Sequence, residues 1–268
     1  MNKKNFEIVI ARYSEDLSWT KNNSIVNNDT NEQTTLLDCC TIYNKGQDID
    51  LPCIKLENIG HEGHTYIHHI IQNYDALAEY TMFVQGDPFG HMRPTGTSFY
   101  ENVSQVLNGE SLPNFFWLNT HMFRTDFEYI REPYSKWPNV KYAYEKVFGK
   151  EPQFDTWIFG GGAQFCVSKE QILKRPLSFY QNIMDIFEYN PGTEVWEEMD
   201  EFSQKLLGRG SCPAAASSDW TRKVFFPKNP EIGVYLERFW SLIFDGKYTG
   251  MIYDHAVGAD IEVSDAQY

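Results

Sequence analysis

Basic residues are scarce in this chain: 23 Lys and Arg stand against 37 Asp and Glu in 268 residues, a formal charge of −14. A surface of that sign attracts neither nucleic acid nor anionic lipid, which argues against general binding to either. A phosphate-bearing ligand remains compatible, because a local site or a bound cation can hold one. Cysteine is sparse and odd in number (Cys39, Cys40, Cys53, Cys166 and Cys212), with no C-x-x-C spacing. That disfavours a disulfide framework or a zinc knuckle and suits buried thiols in a reducing compartment. Long apolar runs are missing as well. After Lys3 and Lys4 the first such run, Ile8–Ala11, stops at Arg12, too short for a leader peptide or a membrane span. The expectation is a cytoplasmic chain with no transmembrane segment. G-x-S-x-G, Walker and kinase signatures are also lacking, and Cys166 sits inside an apolar strand pattern, so nothing supports serine or cysteine nucleophile chemistry.

What is present is apolar and aromatic: 42% hydrophobic and 16% aromatic residues, enough for a folded globule with a sizeable core. Ile8–Ala11 predicts a first buried strand, left by the polar turn Arg12-Tyr13-Ser14-Glu15-Asp16. Asn22–Gln33 suggests an exposed loop, and Leu36–Tyr43 a second strand closed by Asn44-Lys45-Gly46. From Gly60 to Ala78 the period becomes helical, with Ile67, Ile70, Ile71, Tyr74 and Leu77 on one stripe. Tyr80–Val84 then predicts a central strand, so strand, helix and strand together suggest a βαβ unit with parallel pairing. Pro94–Lys150 is aromatic and shows few clean periods. Trp157–Phe159 and Ala163–Val167 predict two short strands around Gly160-Gly161-Gly162, and Ser168 with Gln171 a capping box for a helix that Pro176 breaks. Two later helices are expected. One carries Val195, Trp196, Met199, Phe202 and Leu206; the other, begun by Asn229 and Pro230, carries Ile232, Tyr235, Leu236, Phe239 and Ile243. No linker or repeat interrupts the pattern, so one domain over residues 1–268 is the simplest organisation.

The most informative segment is Thr81–His91. An uncharged strand ends abruptly in Gly86-Asp87-Pro88 and leaves one carboxylate at its carboxyl end, where ligands bind in open α/β sheets. Asp87 could meet a divalent cation that holds a diphosphate, or simply cap the turn before Pro88. His61, His64 and His68, with His69 and Glu62 among them, fall along one helical edge with Asp75. Histidines on one helix face are how helices present metal, although H-E-x-x-H is absent because Thr65 replaces its second histidine. Gly160–Gly162 is not G-x-G-x-x-G and leads into a strand, so it suits a close approach of ligand or backbone, or a bulge, rather than a dinucleotide. If the strands are parallel, Arg12, Tyr13 and Asp16 leave the first strand at the same sheet edge as Asp87; a base-stacking Tyr and a ribose-binding Asp would suit a nucleotide, and surface turn residues are an equally good account. Glu194, Glu197, Glu198, Asp200 and Glu201 fit a solvated helix face.

Several segments taken together resemble a domain family of unknown function: Ile10–Trp19, Ile42–Gly46, Asn58–Tyr66, Val84–Phe89 and Gly162–Phe165. Ser14 and His61 depart from the Asn and Arg of that family's pattern. The layout is similar to GT-A glycosyltransferases, in which a strand enters a nucleotide-binding turn, a D-x-D metal motif ends a central strand, and a small-residue stretch lines the donor and acceptor pocket. The resemblance implies an α/β fold, a single GT-A-like domain with a mostly parallel central sheet flanked by helices. It implies a nucleotide-sugar donor held by Ala11, Arg12, Tyr13, Asp16 and Lys45. Gln85-Gly86-Asp87 would stand at the D-x-D position with its first Asp replaced by Gln, and Asp87 would bind Mg²⁺ or Mn²⁺. Glu62, Gln85, Gly86, Gly161, Gly162, Gln164 and Arg238 would line the donor and acceptor pocket. His64 or Glu237 would deprotonate a hydroxyl of a glycan or glycoconjugate acceptor. Leu236-Glu237-Arg238-Phe239-Trp240 resembles a late helix of polysaccharide-building members. Two alternatives stand beside this reading: a zinc-dependent hydrolase using His61, His64 and His68 with Asp87 nearby, and a non-catalytic carbohydrate-binding protein using exposed aromatics of Phe115–Trp117 and Trp137.

Overall fold

The apolar run of the first strand alternates its side chains between two layers. In the computed structural model, which describes residues 5–26, 31, 33–91, 99–108, 112–118, 122–127, 130–131, 136–137, 140–187, 232–246, 250–254 and 259–263, strand β1 (Phe6–Arg12) sends Ile8 and Ile10 to one face and Val9 to the other. Strand β6 (Tyr80–Gln85) does the same with Met82 and Val84 against Phe83. Both strands are covered on both faces, which is why neither carries a charge on its central residues.

The main sheet has six strands in the order β5-β4-β1-β6-β12-β7. Strands β4 (Cys40–Asn44) and β5 (Ile54–Lys55) run parallel to β1, as β6 does, with Ala11 beside Gln85 and Arg12 beside Asn44. Strand β12 (Phe165–Ser168) is antiparallel to β6, and β7 (Phe115–Trp117) antiparallel to β12. The sheet is therefore mixed rather than mostly parallel, within an α/β architecture flanked by helices. An apolar run buried on both faces looks the same in either direction, so the sequence pattern could not fix the sense of β12. The expected strand–helix–strand unit exists as β4, α2 (His61–Asn73) and β6, parallel throughout, but β1 lies between its two strands.

A second sheet, β11-β8-β13-β14, pairs β8 (Met122–Asp126) antiparallel with β11 (Thr156–Gly160) and parallel with β13 (Gly250–Asp254), which pairs antiparallel with β14 (Ala259–Val263). Two short ribbons join β2 (Ser24–Val26) to β3 (Gln33–Thr35) and β9 (Ile130–Arg131) to β10 (Lys136–Trp137). The Asn22–Gln33 stretch, expected as a loop, thus contributes one strand of a ribbon and buries Ile25; residues 27–30 and 32 lie outside the described residues. The expected strand Leu36–Tyr43 opens with a 3-10 turn at Leu36–Cys39 before extending.

Helices α2, α4 (Val140–Phe148), α6 (Leu177–Phe187) and α7 (Ile232–Ile243) pack on the Val9 and Phe83 face. Helix α1 (Ser18–Asn22), the 3-10 turn and α3 (Phe99–Leu107) cover the other. Helices α3 and α4 fall inside the stretch whose sequence showed few periods. Helix α5 (Lys169–Leu173) starts as expected, with Ser168 Oγ accepting from Gln171 N at 3.2 Å. The Gln171 amide does not close the capping box but donates to Phe244 O, 2.6 Å away. On α7 Tyr235, Leu236, Phe239 and Ile243 are buried, as their spacing requires. The helix expected over Val195–Leu206, its acidic face, Asn229, Pro230 and Cys212 lie outside the described residues. Cys39, Cys40, Cys53 and Cys166 form no disulfide. Among the described residues no helix is long and apolar enough to cross a membrane.

Aromatic rings fill the layer between the main sheet and α7. Phe165 lies 5.1–5.9 Å, centroid to centroid, from Tyr66, Phe83, Phe115, Trp117, Trp240 and Phe244. Phe115 is therefore a core residue, and Phe116 and Trp117 are half-buried, which corrects the expectation of an exposed aromatic platform at 115–117; the Trp137 side chain lies outside the described residues. Phe165→Ala is expected to destabilise the fold by about 3–5 kcal/mol through lost burial and the void left behind, seen as a lower urea midpoint at unchanged slope.

Candidate functional site

Strands β1, β4 and β6 are parallel and end at one edge. From β1 the chain continues to β4 and β5 on one side, then returns to place β6 on the other. The strand order reverses there, and such a reversal leaves a crevice beyond the carboxyl ends. A cavity of about 940 Å³ occupies it. Ala11, Arg12 and Tyr13 line it from β1, Lys45 from the end of β4, Gln85 from β6, and His61 and Glu62 from the first turn of α2.

The entry to α2 is unusual. Gly60 is the N-cap residue at φ +59° and supplies no side chain to cap the helix; His61 follows at φ +51°. A Cβ on Gly60 would lie 2.3 Å from the Phe187 ring, so glycine is required there on two counts. A non-glycine residue at positive φ costs about 1–3 kcal/mol, and such strain gathers at functional sites. The Glu62 carboxylate accepts from its own backbone N–H, and the positive end of the helix lies at the cavity. The Lys45 ammonium holds this entry by donating to Ile59 O, 2.7 Å away, and to His61 O. Burial pushes the Lys45 amine down to about 7, against the pull of the Glu62 charge. Burial also lifts the Glu62 carboxyl to about 7; the Glu237 charge adds to the lift and Lys45 opposes it.

Arg12 is only 8% exposed and serves the scaffold. Its guanidinium donates to Glu15 O (2.9 Å), Tyr13 O (3.1 Å), Asn44 Oδ1 (2.8 Å) and Gln47 O (3.1 Å), tying the turn after β1 to that after β4. At Gly46 a Cβ would sit 1.7 Å from Tyr13 O, so only glycine lets those turns approach. The Glu15 carboxylate accepts from Tyr13 N (2.7 Å) and Ser14 N (3.0 Å) and packs on Gly86, whose carbonyl accepts from Trp19 Nε1 at 3.0 Å. Tyr13 is exposed at the cavity rim. Asp16 instead faces a smaller pocket with Lys21 and Asp50, and accepts from Ser18 N and Oγ, which holds its carboxyl below the ordinary value. The structure thus separates Asp16 from the cavity that Tyr13 lines.

Asp87 stands at the carboxyl end of β6 with an exposed carboxylate whose Oδ1 accepts from Phe89 N at 3.1 Å, and it does not line the cavity. A divalent cation would meet one carboxylate already capping a turn, beside the neutral Gln85. That donor set does not fit a tightly held cation. The histidines diverge as well. His64 is buried against Phe187 and stacks on His68 at 6.2 Å, while His69 turns to Tyr43 Oη (3.1 Å) and Glu7 Oε2 (3.4 Å). Burial above all, then the charges of Lys45 and His68, drive the His64 imidazole down to about 3, so it stays neutral. Among the described residues no group of three or more His, Cys, Asp or Glu is placed to hold a metal ion.

Three of the quoted motifs are knit together. The turn between β11 and β12 holds Gly161, Gly162 (φ +94°) and Ala163 (φ +51°). Glu237 Oε1 on α7 accepts from Gly162 N at 2.6 Å. The fully buried Gln164 accepts from Gln85 N (3.2 Å) and donates to Pro88 O (3.1 Å), clamping the end of β6. Arg238 is fully buried over the Phe159 ring, 3.7 Å from the Glu237 carboxylate, and does not line the cavity. Glu57 and Ile59, which also line the cavity, were given no role from sequence. They lie in an irregular segment, where no periodicity marks a side chain's direction.

Residues 8–112 match the model of a family described as "Protein of unknown function (DUF3431)". That span runs from within β1 through α3 and includes all the described residues that line the cavity; the Gly161–Gln164 turn and α7 lie beyond it. No curated protein and no solved structure matches the chain.

Arg12→Lys, with one ammonium in place of a forked guanidinium, is expected to cost about 2–4 kcal/mol, because several buried oxygens lose their donor. Denaturant titration of ligand-free protein checks this. A residue that served only to grip a ligand would leave that stability unchanged.

Proposed function

We propose that the protein is a glycosyltransferase of GT-A type that takes a nucleotide-sugar donor into the cavity beyond β1, β4 and β6 and passes the sugar to a hydroxyl of a glycan or glycoconjugate. The observation that carries this reading is the Lys45 ammonium beside the N-terminus of α2, whose N-cap Gly60 supplies no side chain, at the strand-order reversal. Backbone N–H groups and a fixed cation are what a diphosphate needs. The hydrogen bonds joining Gln85, Gln164, Gly162 and Glu237 add support, because they bring the motifs of the resemblance to one place.

In the reaction the bond between the anomeric carbon and the diphosphate oxygen breaks, and the acceptor oxygen bonds to that carbon as its hydroxyl proton leaves. Charge builds on the departing diphosphate. Lys45 and the first turn of α2 are preorganised to stabilise it, in a site where a buried cation acts more strongly than in water. Tyr13, exposed at the rim, offers a face for the base. Arg12 holds the walls, and no step is drawn through a cation because the donor set at Asp87 does not fit one. Burial drives the His64 imidazole down to about 3, which makes it a poor proton acceptor, so it is not assigned as the base.

A nucleoside diphosphate or nucleotide sugar at about 100 times its Kd should raise the melting midpoint by roughly 5–10 °C. Lys45→Met, confirmed folded by circular dichroism, should abolish the rise. No shift with any nucleoside diphosphate or nucleotide sugar would remove the reading.

The pH dependence has a definite sign. Lys45 in the ligand-free protein loses its proton above about 7, and Glu62 gains a negative charge over the same range. Diphosphate binding must then take up a proton on Lys45, so affinity should weaken above pH 7 by up to about tenfold per pH unit for that proton. Calorimetry in buffers of different ionisation enthalpy would count the protons taken up.

A further inference from the structure

The donor site leaves unassigned the group that takes the acceptor's proton. Two carboxylates stand near it, and their surroundings differ. Glu237 is anchored: Oε1 accepts from Gly162 N at 2.6 Å and Oε2 lies 3.7 Å from the Arg238 guanidinium. Glu62 lines the cavity itself, one residue into α2 from the strained His61. One helical turn below Glu62 is Tyr66, fully buried. Its hydroxyl has no hydrogen-bond partner among the described residues and feels the charges of both Glu62 and Glu237. A buried O–H that the fold leaves unused beside two carboxylates marks a place where a ligand or water completes the bonding.

We propose that Glu62 is the general base of the transfer and that Glu237 is a positioning residue, holding the Gly162–Gln164 turn against the end of β6. This rests on the glycosyltransferase reading. The acceptor O–H bond breaks, its electron pair forms the bond to the anomeric carbon, the proton passes to the Glu62 carboxylate, and the diphosphate leaves with the electrons of the severed bond. Lys45 after β4 and Glu237 on α7 act on the Glu62 charge, Tyr66 on its own helix feels it, and Glu15 after β1, Glu57 before α2 and His61 line the same cavity. Burial and Glu237 favour the neutral carboxyl and Lys45 the ionised one, leaving its pKa at about 7, suited to proton transfer at neutral pH.

The test compares Glu62→Gln and Glu237→Gln with the unaltered protein in the presence of the nucleotide sugar that stabilises it, reading transfer rate against pH. The unaltered protein should gain activity as pH rises through about 7, as Glu62 ionises. Glu62→Gln should still be stabilised by a nucleoside diphosphate yet lose roughly 10²–10⁴-fold in kcat along with that acid limb. Glu237→Gln keeps an oxygen for Gly162 N. It should keep the limb, with its midpoint moved to lower pH because one negative neighbour of Glu62 is gone. Loss of the limb in Glu237→Gln with its retention in Glu62→Gln would overturn the assignment. No transfer by the unaltered protein from any nucleotide sugar would instead overturn the reading beneath it.

Discussion

A half-buried ammonium organises this site. Lys45 stands at the end of β4 and gives protons to the carbonyls of Ile59 and His61, two backbone groups that flank the N-cap of α2. Those contacts fix where the helix begins and hence where Glu62 stands. They also hold a cation in a desolvated place, at a cost expressed in the fall of its pKa toward neutrality. Each neighbouring feature depends on that placement. Gly60 and His61, between and at the two carbonyls that the ammonium holds, both adopt positive φ. Glu62 is lifted toward neutrality by the same burial.

A second constraint acts at the end of β6. Only Gly161–Gln164 separates β11 from β12, and those strands belong to different sheets, so the chain must change direction within four residues. Gly162 and Ala163 absorb that change at positive φ. Strain of this kind persists where surrounding contacts over-determine it. Glu237 fixes the turn from α7, and Gln164 fixes it to the end of β6 and the turn beyond through two hydrogen bonds. The residue pair Ala11 and Gln85, adjacent in the sheet, is thereby framed on both sides.

How much of this the sequence disclosed depends on the type of signal. Strand ends were legible: β1 stopping at Arg12, β6 stopping before Gly86, and the helical period beginning at Gly60 all follow from composition changes. The edge at which ligand would bind followed from them. Direction and adjacency were not legible, because the apolar run of β12 has no polarity and nothing in it says that β1 sits between β4 and β6. Individual roles were the least legible. Arg12 has the chemistry of a phosphate ligand, yet the turns after β1 and β4 present it with four oxygens first. Asp87 has the chemistry of a metal ligand, and its nearest donor is the amide of Phe89. In both, backbone groups nearby in space took the side chain before a ligand could, and sequence spacing does not report on such competition.

The net charge of −14 and the proposed site for a phosphate-bearing ligand are compatible because the two act over different distances. Exposed carboxylates more than about 8–10 Å away are screened at physiological ionic strength. Lys45 and the N–H groups of α2 are close and partly withdrawn from water, where the same charge interacts several times more strongly. The acidic groups of the cavity wall do not cancel this equally. The Glu15 carboxylate faces the amides of Tyr13 and Ser14, whose N–H dipoles offset part of its field, and burial lifts the Glu62 carboxyl to about 7, which favours its uncharged form. A chain that repels polyanions over its surface can therefore still admit one diphosphate at the edge where β1 and β6 meet.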